Sequence, residues 1–323
     1  MGLATISIDR LTKDYGPVIG LDALTLDVQA GEVLGFLGPN GAGKTTTIRL
    51  LLDLLRPTSG RASIAGFDCR RESLQARRLV GYLPGETPVY PELTGAAYLD
   101  YLSRLGVRPV EPAAVGHLLH RFDVSDIDLR RRLRDLSHGM KRKLGIVQAL
   151  MARPPVVILD EPTSGLDPLM IEAFAETIAE LRRGGRTTVF LSSHVLSEVE
   201  RSCDRVALIR RGRLAAVASI ADIRQAFPRR ITVELARPVT GPPPDVAGAT
   251  LLARDARRWV FDVAGPLGRL VAALDGIPVA DLDVERFSLE EYVLRLYAAD
   301  ARVDAPPTLP DAGPGARAPR DTP

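Results

Sequence analysis

Residues 33–55 read VLGFLGPNGAGKTTTIRLLLDLL, and the fold is decided there. VLGFLG (33–38) is an apolar run of strand length, and TTTIRLLLDLL (45–55) repeats its apolar residues at helical spacing until Pro57. Between them GPNGAGKT (38–45) satisfies G-x-x-x-x-G-K-[ST] in the strand–loop–helix context that the pattern requires. A loop of Gly38, Pro39, Asn40, Gly41, Ala42 and Gly43 wraps closely enough to turn backbone N–H groups toward phosphate oxygens. The N-terminus of the following helix adds favourable partial charge. Lys44 would neutralise the β- and γ-phosphates, Thr45 would ligate Mg²⁺ through its hydroxyl, and Thr46 would donate a further hydrogen bond. A Gly-rich turn without a ligand is the plain alternative, and the complete motif in its proper context argues against it. By itself the loop specifies only a nucleotide.

Downstream, VVILDEP (156–162) sets Asp160 and Glu161 at the carboxyl end of a buried strand, where ligands bind in open α/β sheets. Adjacent carboxylates can divide the labour. Asp160 would hold Mg²⁺ through water, while Glu161, pointing the other way, would polarise the attacking water as general base. No NKxD-type guanine-reading segment is present, which favours ATP over GTP.

Around this nucleus, TISI (5–8) and LTLDV (24–28) alternate as half-buried antiparallel strands and predict a small β-layer. Residues 87–135 read as mostly helical. Helices are expected over 139–152, 168–182 and 195–202, interleaved with strands VVILD (156–160) and TTVFLS (187–192), so a mostly parallel sheet with covering helices is predicted. Beyond Pro228 the pattern changes to ITVEL, WVFDV, a helix near 266–275, VADLDV and a helix near 288–298. The chain thus divides into a nucleotide-binding domain (1–226), a small α+β unit (227–300) and a Pro- and Ala-rich tail (301–323), too poor in large apolar residues to be ordered by burial.

Composition is consistent with a globular protein: 46% of the 323 residues are hydrophobic, 25% are charged, and the formal net charge is +2. That balance gives no reason to expect nucleic acid as a partner. No window offers roughly 18 uninterrupted apolar residues for a membrane span, and the start has no signal-peptide core, so a cytosolic location is expected. Cys69 and Cys203 form no CxxC, as suits a reducing compartment. His117 and His120 could pair on a metal, but no further ligand completes such a site. The Arg-rich stretches at 70–78 and 130–134 read as solvated faces.

LSHGMKR (136–142) precedes the VVILDE strand and TSGLDP (163–168) follows it. With GPNGAGKT, VVILDE, SGLD and the histidine of SSHVLSE (192–198), these segments resemble, in order, the five motifs of ABC transporter nucleotide-binding domains. The resemblance covers roughly residues 3–225. It implies a P-loop NTPase fold with a β-layer, a mostly parallel core sheet and a helical subdomain. It also implies two copies meeting head to tail, each ATP lying between one copy's phosphate loop and the other's signature. Ser137 and the Gly139 amide would then contact the γ-phosphate across the dimer, and His194 would help position the water near Glu161. Asp167 would lie at the dimer contact, and Tyr15 in KDYG would stack on adenine.

The sequence departs from the family pattern after VGYLP (80–84), where Gly85 replaces the usual Gln. Either Glu86 takes over as metal ligand or water alone makes that contact. His138 and Met140 are likewise uncommon in the signature, yet both leave the Ser137 hydroxyl and the Gly139 amide in place. GYLPGE, LSHGM and the closing FSLEEYVLRLY (287–297) resemble the branch that powers ABC-2-type exporters, the daunorubicin-resistance kind. The resemblance therefore implies ATP and Mg²⁺ as cofactors and a homodimer bound to a separate ABC-2-type integral membrane permease at the inner face of the cell membrane. The cargo would be a drug-like or lipid-like compound. In that branch the C-terminal unit serves dimerisation or regulation, with a stabilising appendage as the plain alternative. Tyr98 and Tyr101 fall where the membrane subunit docks, as interface or as core. The competing function is a soluble ABC ATPase acting on ribosomes or DNA. It lacks support because the chain has a single ATPase domain and no long coiled-coil insertion.

Overall fold

The computed structural model describes residues 4–86, 90–226, 229–285 and 289–294. It begins with two long strands, β1 (Ala4–Asp14) and β2 (Ile19–Gln29), paired antiparallel. They run well past the segments that alternate in the sequence. Register shifts between Ile8 and Leu11, with Arg10 and Ala23 in the left-handed region, interrupt the period of two that would have betrayed the full lengths. β3 (Val33–Leu37) feeds the loop and α1 (Lys44–Leu51). This helix stops six residues before Pro57 because Asp53 adopts φ 54°. The Leu54 N–H then donates to Arg49 O at 2.8 Å and the Asp53 N–H to Leu50 O at 3.2 Å, closing the last turn.

β4 (Ser59–Ile64) and β5 (Phe67–Asp68) complete the outer layer in the order β2-β1-β4-β5. After α2 (Ser73–Arg77) and β6 (Val80–Leu83) comes the helical subdomain: α3 (Gly95–Leu105), α4 (Pro112–Arg121), α5 (Asp126–Arg130) and α6 (His138–Leu150). β7 (Val156–Asp160), α7 (Pro168–Gly184), β8 (Thr188–Ser193), α8 (Leu196–Ser202), β9 (Arg205–Arg210), β10 (Arg213–Ser219) and α9 (Ile220–Ala226) finish the domain. The central sheet runs β10-β9-β3-β8-β7-β6, parallel except for β10.

Its middle strands are buried on both faces, and their residues divide by parity. Val33, Leu37, Val157, Leu159, Val189 and Leu191 pack into the core shared with the helical subdomain. Leu34, Phe36, Val156, Ile158 and Phe190 pack against the outer β-layer and α1. Each such side chain contributes roughly 1.5–3 kcal/mol on leaving water. The same packing holds the loops at the strand ends in register.

β11 (Arg229–Leu235), β12 (Ala249–Arg254), β13 (Arg258–Val263), α10 (Gly268–Ala273) and β14 (Val279–Glu285) form the C-terminal unit, an antiparallel sheet ordered β12-β13-β11-β14. Trp259 and Phe261 sit in its own core. The chain then returns to the larger, N-terminal core. Within helical residues 289–294, Leu289 and Val293 pack with Ile220 and Ile223, and the Leu289 N–H donates to the Glu200 carboxylate at 3.0 Å. The last turn assigned to the C-terminal unit by sequence is thus buried in the larger core. The expected tail (301–323) lies outside the described residues, as do parts of FSLEEYVLRLY.

Candidate active site at the strand ends

Four functional segments leave the carboxyl ends of four adjacent parallel strands. β3 gives the glycine loop, β8 gives His194, β7 gives Asp160 and Glu161, and β6 gives Gly85. Topology alone therefore gathers residues that the sequence sets up to 156 apart, from Gly38 to His194. The loop is compact. Gly43 caps α1 at φ 110°, and a Cβ there would meet Gly20 O at 2.7 Å, so both conformation and space require glycine. Gly38 is equally confined, since a Cβ would lie 2.3 Å from Ile209 O. Tyr15 stands on the outer side of this contact. Its ring lies over Gly20, it is about half exposed, and Lys13 Nζ sits 5.1 Å from its centroid.

Lys44 is only 6% exposed, and its ammonium donates to Gly38 O at 2.6 Å and Pro39 O at 3.3 Å. The loop carbonyls thus aim the charge inward. Thr45 donates from its hydroxyl to Asp160 Oδ2 at 3.0 Å, and Ser192 on the neighbouring strand donates to Asp160 Oδ1 at 2.8 Å. A hydroxyl and a fixed, buried carboxylate side by side are hard oxygen donors, the set a Mg²⁺ ion prefers, so the residues fit that ion. Thr46 is half-buried in the first turn of α1, next to the exposed Thr45.

Glu161 follows with φ 51°, a left-handed conformation that costs a non-glycine residue roughly 1–2 kcal/mol. Its carboxylate and that of Asp160 take different partners. One oxygen lies 3.4 Å from Lys44 Nζ and the other 2.5 Å from His194 Nδ1. His194 is about half exposed, so its ring faces the open side of the site.

Ser137, Gly139 and Asp167 stand on a neighbouring surface. Ser137 caps α6 by accepting from the Met140 N–H at 3.2 Å, and Asp167 caps α7 by accepting from the Met170 N–H at 3.0 Å. The two loops touch, since the Gly165 backbone lies against both the His138 ring and Gly139. The His138 substitution therefore packs on the SGLD turn, and Ser137 remains exposed. Gly85, which replaces the usual Gln, faces Asp160: a Cβ there would come within 3.3 Å of Oδ2. Glu86 is one residue further on and exposed.

Sequence reasoning gave no role to Arg142. It is 1% exposed, and its guanidinium donates to the Pro162, Pro84 and Gly85 carbonyls at 3.1, 2.5 and 3.1 Å and to those of Asp160 and Glu161. Burial pulls its pKa down to about 10, with the charges of Asp160 and Glu161 opposing, so it remains cationic near neutrality. The available signal was its place on the apolar stripe of α6 with Ile146 and Ala149. Tyr98 is core, while Tyr101 is exposed and meets Tyr90 edge-on at 5.4 Å. Among the described residues, no group of three or more His, Cys, Asp or Glu side chains stands ready for a metal, and no helix is long and apolar enough to cross a membrane.

Residues 21–164 match the family described as ABC transporter. The chain is 36% identical over 320 residues to a daunorubicin resistance ATP-binding protein of Streptomyces coeruleorubidus, covering 94% of this chain and 99% of that one. It is 38% identical over 210 residues to a bacitracin transport ATP-binding protein of Bacillus licheniformis, covering 65% and 68% respectively. A solved ATP-binding subunit of an ABC transporter superposes with a TM-score of 0.63 at 32% identity, over 69% of this chain and 92% of that one. A dimeric bacterial ABC transporter cassette, 20% identical with a TM-score of 0.61, shares the fold. Similarity sustained along nearly the whole of a relative, over a site of this geometry, places the chain in the ABC transporter family, as an ATP-binding subunit whose chemistry is ATP hydrolysis coupled to transport.

Proposed function

We propose that the chain works as a homodimer that drives a separate ABC-2-type permease, exporting a drug-like or lipid-like compound from the cytoplasmic face of the membrane. The carrying observation is the Glu161 carboxylate held between Lys44 and His194 at 3.4 and 2.5 Å. In this reading Glu161 takes a proton from the attacking water, His194 fixes the carboxylate and reaches the γ-phosphate, and Lys44 with the loop N–H groups holds the β- and γ-phosphates. Tyr15 stacks on adenine. Thr45 and Asp160 would hold Mg²⁺, which would supply charge neutralisation on the phosphates, and exposed Glu86 would be the added carboxylate. Ser137 and Gly139, at an exposed helix start, supply donors to the ATP of the second copy, and Asp167 lines the contact between copies.

The relatives named for daunorubicin resistance and for bacitracin transport support the reading of a drug-like cargo. A groove of about 420 Å³ supports a membrane partner. It runs between α2, β6 and the ends of α3 and α6, and it presents exposed Leu74, Leu105 and Val107 beside Arg77, Arg78 and Arg108. A short cytoplasmic permease helix with apolar and acidic residues would suit it.

The test is the Glu161→Gln protein mixed with ATP in size-exclusion chromatography, followed by affinity purification of the tagged chain from gently solubilised membranes. A nucleotide-dependent dimer and a co-purifying polytopic membrane protein are expected. A protein that stays monomeric, or one that brings down ribosomes, would overturn the proposal.

A further inference from the structure

Arg142 joins three parts of the molecule that are distant in sequence. It sits on α6, the helix that Ser137 opens. Its guanidinium binds the Pro84 and Gly85 carbonyls beyond β6 and the Asp160, Glu161 and Pro162 carbonyls beyond β7. A guanidinium is a rigid planar fork, so five carbonyls arranged around it fix the relative positions of the segments that carry them. At 1% exposure, the group cannot exchange these partners for water without opening the core.

Two further observations give that junction a consequence for chemistry. Glu161 is held in a left-handed backbone conformation, and the orientation of its peptide sets where its carboxylate points. Gly85 has no side chain with which to reach Asp160, so the segment after β6 is tied to this strand end through its main chain. We infer that Arg142 is a positioning residue for hydrolysis: it makes the alignment of Glu161, and the placement of the Pro84–Gly85 segment, follow the position of α6. The inference rests on the reading of Glu161 as the base. ATP captured by the Ser137 end of α6 is then reported to the strand ends by one buried cation, without any side chain at position 85.

The experiment compares full-length wild type, Arg142→Lys and Arg142→Ala in steady-state ATP hydrolysis, binding of a fluorescent ATP analogue and thermal melting. Arg142→Lys keeps the charge but loses the fork. Its kcat is expected to fall at least about tenfold with KM and analogue affinity within about threefold, the mark of an interaction realised in the chemical step. Its pH profile should shift on the acid limb, and millimolar guanidinium should restore part of the Arg142→Ala rate. A folded Arg142→Lys protein whose kcat stays within about twofold of wild type overturns the inference. So does a loss of binding and turnover in parallel with melting temperature. Should neither variant fold, hydrogen exchange on Glu161→Gln protein decides. Protection gained by α6 on adding ATP must be accompanied by protection at 84–86 and 160–162, and protection confined to α6 overturns the inference. If wild type itself fails to hydrolyse ATP, the base assignment falls and takes the inference with it. Hydrolysis by wild type with an unaffected Arg142→Lys overturns the inference alone.

Discussion

His194 Nδ1 lies 2.5 Å from Glu161 Oε2, so the end of β8 braces the first residue beyond β7. The imidazole orients a carboxylate whose other oxygen faces Lys44. Replacing Glu161 by Gln keeps the shape and removes the carboxylate proposed as the base. Turnover is expected to fall about 10²–10⁴-fold while ATP binding is retained, as read by phosphate release beside a fluorescent-nucleotide titration.

Asp160 is held by Thr45 at 3.0 Å and Ser192 at 2.8 Å. Asp160→Asn keeps both neighbours and removes the charge. The Mg²⁺ concentration giving half-maximal hydrolysis should rise at least about tenfold, with a smaller change in nucleotide affinity measured without metal.

Two glycine substitutions should act in opposite directions. A Cβ on Gly81 in β6 would lie 2.0 Å from Ala149 O in α6, whereas one on Gly116, exposed in α4, would meet nothing within 4 Å. Gly81→Ala should cost about 1–3 kcal/mol through forced backbone movement. Gly116→Ala should add about 0.5–1 kcal/mol by helix propensity. Thermal melting of both variants beside wild type checks the pair of signs.

Burial raises the Cys69 thiol to about 12 and pushes Cys203 above the ordinary thiol range as well. The native protein should therefore resist maleimide near neutral pH and label on both thiols once denatured. Each thiol stays protonated in the folded state and ionises near pH 8.5 when unfolded. Stability should then decline as pH rises through about 9, by up to about 1.4 kcal/mol per unit for each thiol, checked by denaturant titration across that range.

The parallel strands β3, β7 and β8 were legible because they are continuous apolar runs next to motifs of fixed spacing. The outer layer was legible only in part, because the irregularities at Arg10 and Ala23 shift the pattern from one face to the other. The end of α1 was misread for a local reason: Asp53, an ordinary polar residue in a helical pattern, takes the conformation usually given to glycine. Strands β9 and β10 and helix α9 were passed over, since RLAAVAS has small residues where alternation would show. Arg142 escaped because a cation in a basic run reads as solvated, and only the fold shows five carbonyls converging on it. The packing of Leu289 against the larger core depends on a long-range return of the chain that no local pattern encodes.

Trp259 is the chain's single tryptophan, and it lies 1% exposed within the C-terminal sheet. Selectively excited indole emission therefore watches that sheet and leaves the ATPase core optically silent. Denaturation followed by emission and by far-ultraviolet circular dichroism would separate into two curves if the sheet opens first. Coincident curves would mean that the return of the chain at Leu289 makes both units melt together.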